Sequence, residues 1–200
     1  MLTIGITGPT GCGKTTLLRE VAARGGVVVD CDALYYELLK TDAGLRGALT
    51  AHFGDIFLAD GSLNRPQLAA CVFSDAQQLA LLNEIVFFHV GNAVSRQKAQ
   101  AGQSGAPLFA IDAINLIESG MAAGCDVVVG VLAPKDVRLA RIMARDKLSR
   151  EAAQARIDAQ KPDSFYRAHC AYLLTNDTTQ EAFRQAAARF LDQITKEEPL

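Results

Sequence analysis

The residues Gly8-Pro9-Thr10-Gly11-Cys12-Gly13-Lys14-Thr15 follow the spacing G-x-x-x-x-G-K-[ST], which suits one chemical task, the holding of linked phosphates. Gly8, Gly11 and Gly13 let the backbone wrap closely and turn its N–H groups inward as a nest for phosphate oxygens, with Cys12 among them. Lys14 brings a mobile positive charge that can reach β- and γ-phosphates. Thr15 offers a hydroxyl to Mg²⁺, and Thr16 joins the same nucleotide-binding set. The spacing predicts a nucleoside triphosphate site. Cys12 has two readings. It is a small filler at a variable loop position, or, beside a helix N-terminus that lowers a thiol pKa, a point where oxidation blocks the nucleotide.

Three further sets of residues bear on how the phosphate is used. Asp30-Cys31-Asp32 closes a β-like run, putting a carboxylate at the carboxyl edge of a sheet, where open α/β folds bind ligands. Strand alternation turns Asp30 to the other face, so Asp32 is the candidate to accept or orient the proton of an acceptor hydroxyl. The plain alternative is that Asp32 caps a helix starting at Ala33. Arg141 and Arg145 lie four apart on one helical face and suit a lid whose guanidiniums meet the charge on a transferring phosphoryl group. Arg138 reads instead as part of a solvated face paired with acids such as Asp136 and Asp146. Asp112 ends an apolar run and could hold a Mg²⁺-bound water or cap the next segment. An Asn-Lys-x-Asp segment for reading guanine is absent from the sequence.

Positioning these groups takes a strand before the loop and a helix after it. Leu2–Thr7 supplies the β-like run, and Thr16–Ala23 is a good helix former without Gly or Pro. Further strands are expected over Val27–Cys31, Leu108–Asp112, Asp126–Leu132 and Ala171–Thr175. Their near-continuous apolar character suits a parallel sheet covered on both faces. Helix is expected over Ala33–Phe53 with a break near Gly44. A turn at Asp60–Pro66 leads into another helix, and Ser74-Asp75-Ala76-Gln77 looks like the capping box of a long helix reaching Ala101. Pro134 starts the arginine helix, a polar hinge at Asp146–Ser149 follows, and a second helix runs from Arg150 to Gln160. Thr178-Thr179-Gln180-Glu181 is a capping box for a closing amphipathic helix.

A length of 200 residues suits one α/β domain, with a mostly helical insertion over about residues 33–106 as a natural place for a second substrate. The net charge of −2, without a basic block, argues against nucleic acid as the main partner. No apolar stretch approaches the length of a membrane span, and the chain begins directly with its first strand, without a visible targeting segment. The five cysteines are scattered and form no C-x-x-C pair, so a reducing cytoplasm is the expected setting.

Taken in order, the motifs resemble the dephospho-coenzyme A kinase family over nearly the whole chain, from the first strand to Asn176. Val29-Asp30-Cys31-Asp32-Ala33 is similar to the family's V-I-D-A-D. Leu63-Asn64-Arg65 and Val72-Phe73-Ser74-Asp75 are similar to L-D-R and V-F-x-D, and Leu82-Asn83 with His89 to L-N…H-P. Ile111–Ser119 resembles L-D-I-P-L-L-F-E-S, with Ile114 and Asn115 departing from it. Arg141–Asp146 and Ser149–Ala152, with Arg156 and Gln160, resemble the lid. The final R-x-x-A-D-x-V-I-x-N is matched by Arg167–Asn176, with Ala171 in place of its acid. The resemblance implies a three-layer P-loop kinase fold in one domain, residues 1–200, with a parallel five-stranded sheet, a helical acceptor-binding insertion and a lid over about residues 138–160. It implies ATP and Mg²⁺ as cofactors, with transfer to the ribose 3′-hydroxyl of dephospho-coenzyme A.

Within that resemblance, Asp32, Lys14 and Arg141 are the catalytic candidates, and Arg141 and Arg145 join residues 8, 11 and 12–16 as the nucleotide-binding set. Asp32, Arg65, His89 and Asp112 are the acceptor-binding set, and Thr15 and Asp112 the metal set. The expected state is a monomer or small homo-oligomer with no nucleic acid or membrane partner. Two alternatives stand beside it: another small-molecule or nucleotide kinase on the same scaffold, and a nucleotide-binding regulator without efficient transfer.

Overall fold

Six consecutive buried residues, Leu2–Thr7, form strand β1, and the glycine loop leaves its carboxyl end for helix α1 at Lys14–Ala23. These coordinates are a computed structural model that describes residues 1–72 and 75–197. The other strands are β2 (Val27–Asp30), β3 (Leu108–Asp112), β4 (Val127–Leu132) and β5 (Tyr172–Thr175), in the order β2-β3-β1-β4-β5. β1 is central and pairs in parallel with β3 (Ile4 opposite Ala110) and β4 (Ile6 opposite Val129). Burial on both faces explains the near-continuous apolar runs of β3 and β4, while in β1 the apolar Leu2, Ile4 and Ile6 alternate with the equally buried Thr3, Gly5 and Thr7. α1 and α9 (Gln180–Glu197) pack through Leu17, Val21, Phe183, Ala187 and Leu191 onto Ile4, Ile6 and Val129 in one core.

The chain forms two compact units, Met1–Val29 with Gln100–Leu200, and Asp30–Ala99. The first holds the sheet core, α1 and α9, together with α6 (Lys135–Asp146), α7 (Arg150–Asp158) and α8 (Asp163–His169). Leu139 and Ile142 of α6 bury against Ala153 and Ile157 of α7, so these two helices carry a small core of their own. Lys147, in the left-handed region at φ 53°, turns the chain between them, and Ser149 Oγ accepts the Ala152 amide to open α7. α7 ends at Asp158 rather than at Gln160. The short α8 is not expected from the sequence. Its two turns are anchored by Tyr166, which is 1% exposed and whose hydroxyl burial pushes up to about 12.

The second unit contains α2 (Cys31–Thr41), α3 (Ala43–Phe53), α4 (Arg65–Val72) and most of α5 (Ala76–Gln103). Two local readings change here. The helix after β2 starts at Cys31, not Ala33, because Asp30 caps it by accepting the amides of Asp32 and Ala33 at 2.9 and 3.0 Å. The break in the following helix falls at Asp42, not Gly44. Asp42 ends α2 and caps α3, accepting the Leu45 amide at 3.0 Å. The capping box expected at Ser74 lies partly outside the described residues. Asp75 Oδ1 accepts the amides of Gln77 and Gln78 and opens α5 itself. At α9 the cap is Thr179, whose hydroxyl accepts the Ala182 amide, so the box pairing of Thr178 with Glu181 is not the one formed. No helix among the described residues is long and apolar enough to cross a membrane.

Asp42 yields a stability prediction with a defined pH dependence. The Leu45 amide and then His89 Nδ1, 3.1 Å from Oδ2, hold its carboxyl below the ordinary value of 3.8. A depressed carboxyl contributes stability that is present above its unfolded value and lost as pH falls through the folded one. Asp42→Ala is expected to cost about 1 kcal/mol at neutral pH through loss of the cap. The gap to wild type should narrow below about pH 4, measured by urea unfolding across pH.

Candidate active site

Gly8 and Gly13 show why the loop needs glycine. At Gly8, φ is 143° and an added Cβ would lie 2.2 Å from the Val131 carbonyl oxygen, so no side chain fits beside β4. At Gly13, which caps α1 from the left-handed region at φ 99°, a Cβ would meet Asn176 Nδ2 at 2.2 Å. Gly13→Ala is therefore expected to destabilise the protein by about 1–3 kcal/mol and to weaken ATP binding, read by urea unfolding and titration calorimetry. A wild-type unfolding midpoint in that variant would contradict the packing of Gly13 on Asn176.

The loop ends at the N-terminus of α1, whose first N–H groups lack intrahelical partners and carry the positive end of the helix dipole. Lys14 Nζ folds back over the loop, donating to the Gly8 carbonyl at 3.1 Å, and lies 3.8 Å from Asp112 Oδ1. Asp112 reaches this place because it ends β3, opposite Ile6 of the adjacent β1. Thr15 stands exposed in the first turn of α1, and Thr16 follows half-buried. A glycine cradle, an ammonium and a carboxylate thus converge at one end of the sheet, and the Thr15 hydroxyl is carried by the residue after Lys14. The hydroxyl and carboxylate are hard oxygen donors that suit Mg²⁺, which commonly takes few protein ligands together with phosphate oxygens and water.

The arginine helix divides more sharply than its spacing indicates. Arg141 donates to the carbonyls of Gly11 and Cys12 at 3.3 and 3.4 Å and to Asn176 Oδ1 at 3.1 Å, so its guanidinium lies against the loop. Arg138 is not a solvated residue. It is 5% exposed and donates through Nε to the Thr10 carbonyl at 3.0 Å and through Nη2 to Gln160 Oε1 at 2.9 Å. Arg145, expected beside Arg141, is not brought to the loop. It forms a two-pronged pair with Asp146 at 2.7 and 3.1 Å, and Arg156 joins the same carboxylate.

Cys12 settles between its two readings. The residue is 1% exposed, and burial pushes its thiol up from the ordinary value of 9.0 in spite of the neighbouring Lys14 charge. A buried thiol held protonated is a packing group, which favours the small-filler reading over that of a lowered pKa and a reactive thiol. Its Sγ packs toward Gly8.

Within the second unit, Asp32 is exposed in the first turn of α2, and the cap of that helix is made by Asp30. Arg65 lies over the Tyr36 ring, 4.9 Å from its centroid, and His89 pairs with Asp42. Three residues of the first unit, Asn176, Thr10 and Gln160, fell within quoted motifs without being given a role of their own. Asn176 is 4% exposed and donates Nδ2 to the Cys12 carbonyl at 2.9 Å while receiving Arg141. Its signal in the sequence is a polar residue directly after an apolar strand, closing the R-x-x-A-D-x-V-I-x-N likeness.

Comparison with known proteins shows similarity over nearly the whole chain. The family model for dephospho-CoA kinase matches residues 2–182. A dephospho-CoA kinase from Lactiplantibacillus plantarum is 36% identical over 194 residues, covering 96% of this chain and 98% of its own. The crystal structure of TT1252 from Thermus thermophilus superposes with a TM-score of 0.80 at 31% identity, covering 97% of this chain and 98% of that one. Dephospho-CoA kinase from Campylobacter jejuni shares the fold at a TM-score of 0.69 and 23% identity, with 98% of each chain covered. A phosphate loop backed by Lys14, Asp112 and Arg141, in a chain matched from residue 2 to residue 182, belongs to the dephospho-CoA kinase family.

Proposed function

We propose that this chain transfers the γ-phosphoryl group of ATP to the ribose 3′-hydroxyl of dephospho-coenzyme A, giving coenzyme A and ADP. The observation that carries the reading is the convergence of Lys14, Asp112 and Arg141 on the glycine loop in a chain of this family. The loop at residues 8–15, with the N–H groups at the start of α1, would cradle the phosphates. The Lys14 ammonium would leave the Gly8 carbonyl for phosphate oxygens and balance the charge spread over the transferring group. Arg141, already against the loop, would add a second positive group from the lid. Asp32 would accept or orient the proton of the attacking hydroxyl as the new O–P bond forms and the bond to the ADP oxygen breaks. Thr15 and Asp112 are the residues that would hold Mg²⁺, which when bound neutralises phosphate charge. Arg65 and His89 are the acceptor-side contacts of this reading, and residues 30–99 the unit that carries them.

The test is to supply Mg²⁺ and ATP with a panel of acceptors and to measure ADP. The expected result is rapid formation with dephospho-coenzyme A and little with nucleosides, nucleotides or small alcohols. A preference for another acceptor, or tight ATP binding without turnover, would overturn the reading.

A further inference from the structure

Thr10, the third residue of the phosphate loop, is gripped at every polar atom by two residues far away in sequence. Gln160 Oε1 accepts the Thr10 amide at 3.0 Å, and Gln160 Nε2 donates to Thr10 Oγ1 at 2.6 Å. Arg138 Nε donates to the Thr10 carbonyl at 3.0 Å, and its Nη2 donates to the same Gln160 oxygen at 2.9 Å. Gln160 sits just past the end of α7, where its own amide donates to the Ile157 carbonyl. Arg138 is buried in the first turns of α6. A primary amide matched donor-to-acceptor against a backbone N–H and a hydroxyl is a two-point lock, and the charge-assisted bond from Arg138 fixes the orientation of that amide.

We infer that Gln160 and Arg138 are positioning residues for phosphoryl transfer, forming a clip through which the α6–α7 pair sets the conformation of the phosphate loop. The inference rests on the reading of the chain as a kinase and deepens it. A glycine-rich loop has no ladder to hold it, so its amides point where tertiary contacts turn them. The clip commits the Thr10 amide to Gln160, and the Cys12 amide is committed to the Pro9 carbonyl at 3.2 Å. The start of α1 adds the N–H groups that a helix has to offer phosphate. Arg141 comes from the same helix as Arg138, one turn on, so the clip also fixes where that guanidinium meets the loop.

The test combines Gln160→Ala, Gln160→Glu and Thr10→Ala with their double variant. Gln160→Ala is expected to lower kcat by about ten- to a hundredfold through misplacement of the loop, with the KM for dephospho-coenzyme A unchanged. Gln160→Glu keeps the acceptor for Thr10 and Arg138 and should recover most of the loss. The loss in Thr10→Ala should not add to that in Gln160→Ala, since the one contact it removes, Nε2 to Oγ1, is already gone in Gln160→Ala. Amide hydrogen exchange on the protein without substrates gives a readout independent of turnover. The Thr10 amide should exchange at least about tenfold faster in Gln160→Ala, while the β1 amides keep their rates.

Unchanged exchange at Thr10 overturns the clip. Faster exchange with kcat within twofold of wild type reduces it to a structural tie and overturns the positioning role. Fully additive losses do the same. If the wild type fails to phosphorylate dephospho-coenzyme A, the functional reading fails. The clip is then decided by Thr10 exchange together with the affinity for Mg²⁺·ATP, which Gln160→Ala should weaken.

Discussion

Asp32→Asn is expected to lower kcat by about 10²–10⁴ while leaving ATP affinity within about twofold of wild type. The amide keeps the size and position of the carboxylate but cannot take the proton that leaves the acceptor hydroxyl. The two acids around Cys31 make this a controlled comparison, because their roles separate. Asp30 accepts the amides of Asp32 and Ala33 and so caps α2. Asp30→Ala should therefore cost about 0.5–2 kcal/mol of stability, with turnover per folded molecule largely kept. Steady-state kinetics with ATP-binding calorimetry on both variants checks the assignment. Normal turnover in Asp32→Asn would remove that residue from the mechanism, and a collapse of turnover in Asp30→Ala alone would exchange the two roles.

Lys14→Ala is expected to lower kcat by about 10²–10³ and to weaken ATP binding at the same time. The two effects come together because the ammonium faces both bound phosphate and the charge that develops during transfer. Lys14 Nζ is held by the Gly8 carbonyl at 3.1 Å with Asp112 Oδ1 3.8 Å away. Removing it also takes away a cation that the half-buried Asp112 faces, so some added cost in stability is expected. Lys14→Arg should not restore turnover, since a planar guanidinium is bulkier and less mobile than a point charge on a flexible stem. Recovery of most activity in that variant would argue that bulk charge, rather than the placement of Nζ, is what the loop requires.

These expectations show which parts of the molecule local chemistry announces. The phosphate loop was legible because glycines, lysine and threonine at fixed offsets are required by backbone geometry, and β3 and β4 because burial on both faces forces apolar runs; β2 and β5, part-buried at the sheet edges, were legible only as short apolar runs. The place of Asp112 beside Lys14 was not announced in this way, since it follows from the pairing of β3 with β1. What was not legible depends on contacts between distant segments. Nothing near Arg138 in the sequence says that it is buried, because its partners Thr10 and Gln160 lie 128 and 22 residues away. Arg141 and Arg145 look equivalent at a spacing of four, yet one meets the loop and the other meets Asp146, the next residue in the chain. Asp30 and Asp42 are caps whose positions shift helix starts by two residues and move a break from Gly44 to Asp42. In each case a short polar side chain competed with a pattern of apolar periodicity. Cys12 had two readings in the sequence for a related reason: a helix N-terminus lowers a thiol pKa only where the sulfur is not sealed from water, and burial, which dominates here, comes from distant contacts.

The central claim, that this loop donates a phosphoryl group to dephospho-coenzyme A, is tested most directly by following the phosphorus atom itself. Incubation with γ-labelled ATP, Mg²⁺ and dephospho-coenzyme A, followed by separation of the products, is predicted to place label in a compound with the mass of coenzyme A. The label should match the ADP formed one for one and sit on the ribose 3′-oxygen. Label released as free phosphate, or carried by any other position of the acceptor, would contradict it.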